Sequence, residues 1–271
     1  VTTADATDDQ PGSRVVLVTG GARGIGAACA AWFLRHGDRV AITYRGDTPP
    51  VLPDGTAGPL PDGMAGDSPD AVAGLADRFL PVRCDVTDPE QVAAAYDAIE
   101  AAWGPVEVLV ANAGITRDTL VLRMSEDAWH DVIETNLTGS YRVTKRAIAK
   151  MLRLHRGRII FISSVGAFVG LPGQANYAAS KAGLVGMARA VAREVASRQI
   201  TVNVVAPGVV ATDMIAALGD ERSEQLQGMV PLGRAATAGE VAEAVGFLAS
   251  DGAGYITGAV LPVDGGLGMG M

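Results

Sequence analysis

The sequence predicts an α/β protein built on one doubly wound sheet of about seven parallel strands, with helices on both faces. Three observations carry this. Short runs that are apolar almost throughout alternate with longer helical patterns along most of the chain, as strands buried on both faces and their crossover helices do. The 271 residues are 48% apolar, enough for one substantial core, and 34 glycines mark frequent tight turns. The first apolar run opens directly into a glycine-rich turn ahead of a helical stretch.

In chain order, strands are expected at 15–19, 40–44, 80–84, 106–111, 158–163, 201–206 and 259–263. Helical patterns fall between them at about 24–36, 70–79, 88–103, 126–155, 176–197 and 237–250. The polar, acidic start, VTTADATDDQPGS, reads as a disordered tail over 1–13, leaving a single domain over 14–271. Residues 46–69 break the alternation: LPDGTAGP and LPDGMAGD form an imperfect duplication rich in Pro, Gly and Asp, expected to be an exposed insertion. A regulatory or partner-binding role is the alternative for it.

The net charge of −8 opposes nucleic acid or an anionic membrane as a partner. No stretch reaches the roughly 18 apolar residues of a membrane span, and the N-terminus is unlike a signal peptide, so a cytoplasmic protein is expected. Cys29 lies in an Ala-rich helical pattern and Cys84 ends a strand-like run. Both read as small buried apolar residues, and no metal site is expected.

The turn TGGARGIG, Thr19 to Gly26, carries glycines at 20, 24 and 26. These let the backbone approach a pyrophosphate, while the helix behind offers free N–H groups and its positive dipole end. A glycine-rich turn also serves packing alone, but Arg23 inside it is placed for an additional phosphate. The second strand ends in VAITYRGD. Tyr44 and Arg45 stand where an NAD-binding fold would show an acid, and Arg45 with Arg23 could clasp a 2′-phosphate by charge-assisted hydrogen bonds. The opposing reading makes Asp47 a displaced ribose ligand for NADH.

Ser164, Tyr177 and Lys181 are spaced Ser-x12-Tyr-x3-Lys. Tyr177 and Lys181 share a helix face one turn apart, where the ammonium is expected to favour phenolate and so ease proton donation at neutral pH. Singly, each has an ordinary explanation; the set is specific. In the pattern Trp129, Val132, Ile133, Asn136, Ser140, Tyr141, Thr144, Ile148 an amide occupies an inward helical position. A buried amide needs partners, and Asn136 could simply bond neighbouring backbone.

TGxxxGxG at the turn, Asp85-Val86 after the third strand, Asn112-Ala113-Gly114 after the fourth and Pro207-Gly208 after the sixth, together with the Ser-Tyr-Lys set, resemble the short-chain dehydrogenase/reductase family over about 14–265. The resemblance implies a Rossmann-type nucleotide fold. It also implies cofactor contacts at Gly20, Arg23, Gly24, Ile25, Gly26, Arg45, Asp85, Val86, Asn112, Ala113 and Gly114. Pro207, Gly208, Val210 and Thr212 would embrace the nicotinamide end. Ser164, Tyr177, Lys181 and Asn136 would be catalytic, with Lys181 gripping the nicotinamide ribose and Asn136 holding a proton-relay water. NLTG at 136–139, GQANYAASKAG from 173, TVNVVAPG from 201, GPVEVLV and the closing GMGM are similar to 3-oxoacyl-[acyl-carrier-protein] reductases of fatty-acid synthesis, especially the actinobacterial branch.

That implies NADPH as cofactor, an acyl-carrier protein bearing a 3-oxoacyl thioester as partner and a homotetramer into which Trp129 and Tyr141 would pack. Arg153, Arg156, Arg158 and Arg198 are candidates for docking the acidic carrier, or an ordinary solvated rim. The segment 209–234, with Met214, Leu218, Met229 and Leu232, is the expected substrate lid. Other ketoreductions of the family, on acetoacetyl-CoA, polyketide or secondary-alcohol substrates, remain the alternative. A silent nucleotide sensor would typically lack the Tyr/Lys pair.

Overall fold

The computed structural model describes residues 14–51, 74–212, 225 and 227–269. Its sheet is seven-stranded in the order β3-β2-β1-β4-β5-β6-β7, parallel at every pairing. The strands are β1 (Val15–Val18), β2 (Arg39–Tyr44), β3 (Phe79–Arg83), β4 (Val108–Ala111), β5 (Gly157–Ile162), β6 (Ile200–Pro207) and β7 (Val260–Val263). Val16 faces Val40 on one side and Val108 on the other. Between β1 and β4 the strand order reverses, and connections leaving there in opposite directions open a crevice at the C-terminal strand ends. β1, β4 and β6 are buried at every position, which is why no polar alternation marked them in the sequence.

The helices are α1 (Gly24–Arg35), α2 (Pro89–Trp103), α3 (Glu126–Ile133), α4 (Gly139–Leu154), the single turn α5 (Gly166–Val169), α6 (Ala175–Val195) and α7 (Ala238–Ala249). α1 and α7 cover one face, packing Phe33, Leu34, Val245 and Leu248 on Val16, Val18 and Ile42. α2, α4 and α6 cover the other, with Tyr96, Ile99, Met151 and Leu184 against Leu17, Leu109, Ile159 and Phe161. Each of these large apolar side chains contributes on the order of 1.5–3 kcal/mol by leaving water.

Two elements differ from the sequence reading. Of the helix expected over 70–79, residues 70–73 lie outside the described part, and Phe79 already belongs to β3. The Val40 N–H donates to the Arg78 carbonyl at 2.7 Å, so the ladder to β2 claims the chain before the helical pattern ends. The long helix expected over 126–155 is interrupted by a π turn at Glu134–Thr138. Its extra residue shifts the phase of everything after it. Val143, Ala147 and Met151 turn to the sheet, whereas Trp129 and Tyr141 are 37% and 49% exposed. The tail over 1–13, residues 52–69 of the insertion, and Met214 and Leu218 lie outside the described residues.

Candidate active site

Ser164, Tyr177 and Lys181 meet at the C-terminal end of β5. Ser164 lies two residues beyond that strand, on the turn into α5, where its oxygen accepts the Gly166 N–H at 3.1 Å. The Ser164 hydroxyl stands near enough to the Tyr177 phenol to pull its pKa down. Tyr177 is the third residue of α6. Its neighbour Asn176 is fully buried and accepts the Tyr177 N–H at 2.8 Å while its amide donates to Ala128 at 2.9 Å and Arg117 at 3.2 Å. The start of the catalytic helix is thereby tied to α3 and to the loop after β4.

Lys181, one turn on, is 4% exposed. Its ammonium donates to the Ile162 carbonyl at 2.8 Å and lies 5.7 Å from the centre of the Tyr177 ring. Burial lowers its pKa to about 8. The shift at Tyr177 runs opposite to the one expected from the neighbouring ammonium. Burial raises the Tyr177 pKa, the Ser164 hydrogen bond opposes the rise, and the charge of Asp118 adds to it. Desolvation of the phenol disfavours its ionised form. Tyr177 is therefore held in the form that can donate.

Asn136 sits in the π turn, wholly buried. Its Oδ1 accepts the Ile115 N–H at 2.8 Å, and its Nδ2 donates to the Ile115 carbonyl and to Ser180 Oγ, both at 3.0 Å. Ser180 in turn donates to the Tyr177 carbonyl at 2.7 Å. The amide thus bonds neighbouring backbone, and through Ser180 it also reaches the helix that carries Tyr177. A Cβ on Gly114 would stand 3.2 Å from Asn136 Oδ1 and 3.4 Å from Lys181 Nζ, so these three residues adjoin one another.

The nucleotide half is built around the turn after β1. Gly20 adopts φ +64°, and a Cβ at Gly26 would collide with the Gly20 carbonyl, so glycine is required for the turn to fold back on the helix it precedes. Arg23, exposed, is the N-cap of α1 and makes no side-chain capping bond. By contrast Asp88, Ser125 and Thr237 cap α2, α3 and α7. The uncapped first-turn donors of α1, around Gly24, Ile25 and Gly26, suit the phosphates of a dinucleotide. Asn112 Nδ2 clamps the turn by donating to Thr19 and Gly20 carbonyls at 2.9 and 3.2 Å, and Thr19 Oγ1 accepts the N–H groups of Asn112 and Ala113. Thr43 Oγ1 accepts the Gly20 N–H at 3.0 Å.

The Val86 side chain is buried against Gly139. Pro207 accepts the Val165 N–H and Gly208 donates to Val263. Val210 pairs with Ala236, and the place of a Gly24 Cβ lies 3.5 Å from Thr212, so the segment after β6 closes beside the glycine turn. Arg45 is 3.6 Å from Asp85, whose other oxygen accepts both the backbone and hydroxyl of Thr87.

Sequence reasoning missed Thr19, Thr43, Asn176 and Ser180, whose signal was only a small polar residue at a strand end or inside an apolar helix face. Of the docking arginines, Arg156 is paired with Glu107, and Arg158, its side chain only 13% exposed, is paired with Asp251. Arg198 is hydrogen-bonded to His155. Cys29 and Cys84 are buried, their thiols pushed up to about 12 and about 11 chiefly by desolvation. Among the described residues no group of acids, histidines and cysteines is arranged to hold a metal, and no helix is long and apolar enough to cross a membrane.

A family model described as enoyl-(acyl carrier protein) reductase matches residues 62–268. Curated relatives extend the match nearly end to end. The chain belongs to the short-chain dehydrogenase/reductase family. It is 49% identical over 260 residues to the 3-oxoacyl-[acyl-carrier-protein] reductase of Mycobacterium tuberculosis, covering 95% of this chain and 94% of that one. To the Mycobacterium avium protein of the same name it is 46% identical, with 95% and 91% covered. To the Escherichia coli protein of that name it is 44% identical, with 94% and 98% covered.

Proposed function

We propose that this protein reduces 3-oxoacyl-[acyl-carrier-protein] to the 3-hydroxyacyl form with NADPH, in fatty-acid synthesis, as a cytoplasmic homotetramer. The observation that carries the reading is the meeting of Ser164 and Tyr177, both half-buried at the strand ends, with Lys181 5.7 Å from the Tyr177 ring, in a chain 44–49% identical to relatives named for that reaction.

When bound, a reduced nicotinamide supplies hydride to the carbonyl carbon. The residues of this chain do the rest. Ser164 and Tyr177 would each offer a hydroxyl proton to the substrate oxygen and stabilise its negative charge most as it develops. Tyr177, kept protonated by burial, gives its proton to the oxygen. Lys181, adjoining the ring with a pKa of about 8, compensates the phenolate left behind. Asn136 and Ser180 fix the helix that carries both groups. The residues Gly20, Arg23, Gly24, Ile25, Gly26, Asn112, Ala113, Pro207, Gly208 and Thr212 would hold the cofactor, and Arg23 with Arg45 would select its 2′-phosphate. Trp129 and Tyr141, exposed on the long helices, suit a contact between subunits.

The test is turnover of matched acetoacetyl thioesters on acyl-carrier protein, CoA and a pantetheine analogue, with NADPH or NADH, beside a crotonyl thioester. Reduction of the 3-oxo group, fastest from the carrier with NADPH, is expected. Turnover of the crotonyl thioester alone, or of none, would overturn the assignment.

A further inference from the structure

The outer edge of the nucleotide half holds a charge arrangement that the 2′-phosphate reading does not yet use. β3 is the outermost strand, and its last residue, Arg83, is the register partner of Tyr44 at the end of β2. Arg83 donates to Asp47 at 3.0 Å. Asp85, two residues beyond Arg83, faces Arg45 at 3.6 Å. Two arginine–aspartate pairs therefore stand where β2 and β3 end.

The two carboxylates are held differently. Asp85 is fastened by the backbone and hydroxyl of Thr87 at 2.9 and 2.8 Å. Those bonds and the Arg45 charge, acting against desolvation, hold its carboxyl below the usual range. Asp47 is 95% exposed, and among the described residues its side chain has Arg83 as its one ion-pair partner. An exposed Arg-Asp pair contributes little, whereas a phosphate offers a guanidinium two parallel charge-assisted bonds. A dianion arriving at this edge would displace Asp47 and leave Asp85 in place. A neutral ribose hydroxyl would displace neither.

We infer that Arg83 is a specificity-determining residue for the cofactor, the third cation for the 2′-phosphate, with Asp47 as the counter-ion that occupies its guanidinium until the phosphate takes over. The inference rests on NADPH being the cofactor. It adds to Arg23 and Arg45 a residue on another strand, and it gives the acid after β2 the role of a competitor for Arg83 in place of a ribose ligand.

Direct binding, followed by calorimetry with NADPH, NADH and 2′,5′-ADP, tests it without reference to turnover. Arg83→Gln should weaken NADPH and 2′,5′-ADP by about fivefold and leave NADH unchanged. Asp47→Asn should tighten both phosphorylated ligands, and that gain should vanish in the double variant, because Asp47 acts through Arg83. An Arg83→Gln protein that keeps the wild-type preference would overturn this inference alone. A gain from Asp47→Asn that survives in the double variant would overturn the counter-ion role. Equal wild-type affinity for NADPH and NADH would overturn both the inference and the cofactor reading beneath it.

Discussion

The two halves of the crevice are held by different physics. Around Tyr177 the polar side chains are buried and bonded to backbone: Asn136, Asn176 and Ser180 are fully out of water and Lys181 is 4% exposed, with partners supplied by four different segments. At the ends of β2 and β3 the polar side chains are long, charged and paired with one another, and Arg45, Arg83 and Asp47 are all more than half exposed. A buried network has few arrangements and fails when one member is lost. An exposed ion pair has many arrangements and fails gently, more so in salt. Chemistry needs its groups fixed in advance, and cofactor choice needs only a favourable field, so each half uses the cheaper device that suffices.

Substitutions should expose that difference. In the buried half, Ser164→Ala removes one of two donors to the developing oxyanion and should lower kcat by about 10²–10³-fold, read in steady-state kinetics. Asn136→Ala orphans the Ile115 N–H and carbonyl and unties Ser180 from the π turn. It should destabilise the fold by about 1–3 kcal/mol, measured by denaturant unfolding.

Lys181 gives a pH signature of the same half. Its pKa is about 8 in the folded protein against 10.5 ordinarily. Below about pH 8 both states carry the proton and the burial penalty is present in full. Between about 8 and 10.5 the native state releases the proton first, so stability rises with pH, by at most roughly 3 kcal/mol in all. Unfolding midpoints of wild type relative to Lys181→Met, compared from about pH 7.5 to 9.5 and so below tyrosine ionisation, should show this rise; a flat difference would remove the buried charge from the account.

The exposed half should respond least. Arg45→Asp should weaken NADPH by about tenfold and NADH far less, with the gap shrinking as salt is raised. Fluorescence titration at two ionic strengths checks it. A loss shared equally by both nucleotides would place Arg45 outside the 2′-phosphate site.

The same division explains what could be read from the chain. Strands such as 108–111 were legible because burial on both faces leaves nothing but apolar residues. Tyr177 and Lys181 were legible because a helix brings residues four apart onto one face. Asn136 stood out as an amide in an apolar stripe, but its partner Ser180 is 44 residues away, and no local pattern announces such a pairing. The clamp between Thr19 and Asn112 spans 93 residues and was hidden for the same reason. On the exposed edge the arginines were visible, but the pairing of Arg83 with Asp47 depends on how β2 and β3 align.

The central claim is that Tyr177 donates the proton in a ketone reduction, and the separation of binding from turnover in Tyr177→Phe tests it most directly. The account predicts wild-type affinity for NADPH and a fall of about 10²–10⁴-fold in reduction of an acetoacetyl thioester. Retention of more than about a tenth of the turnover would contradict it.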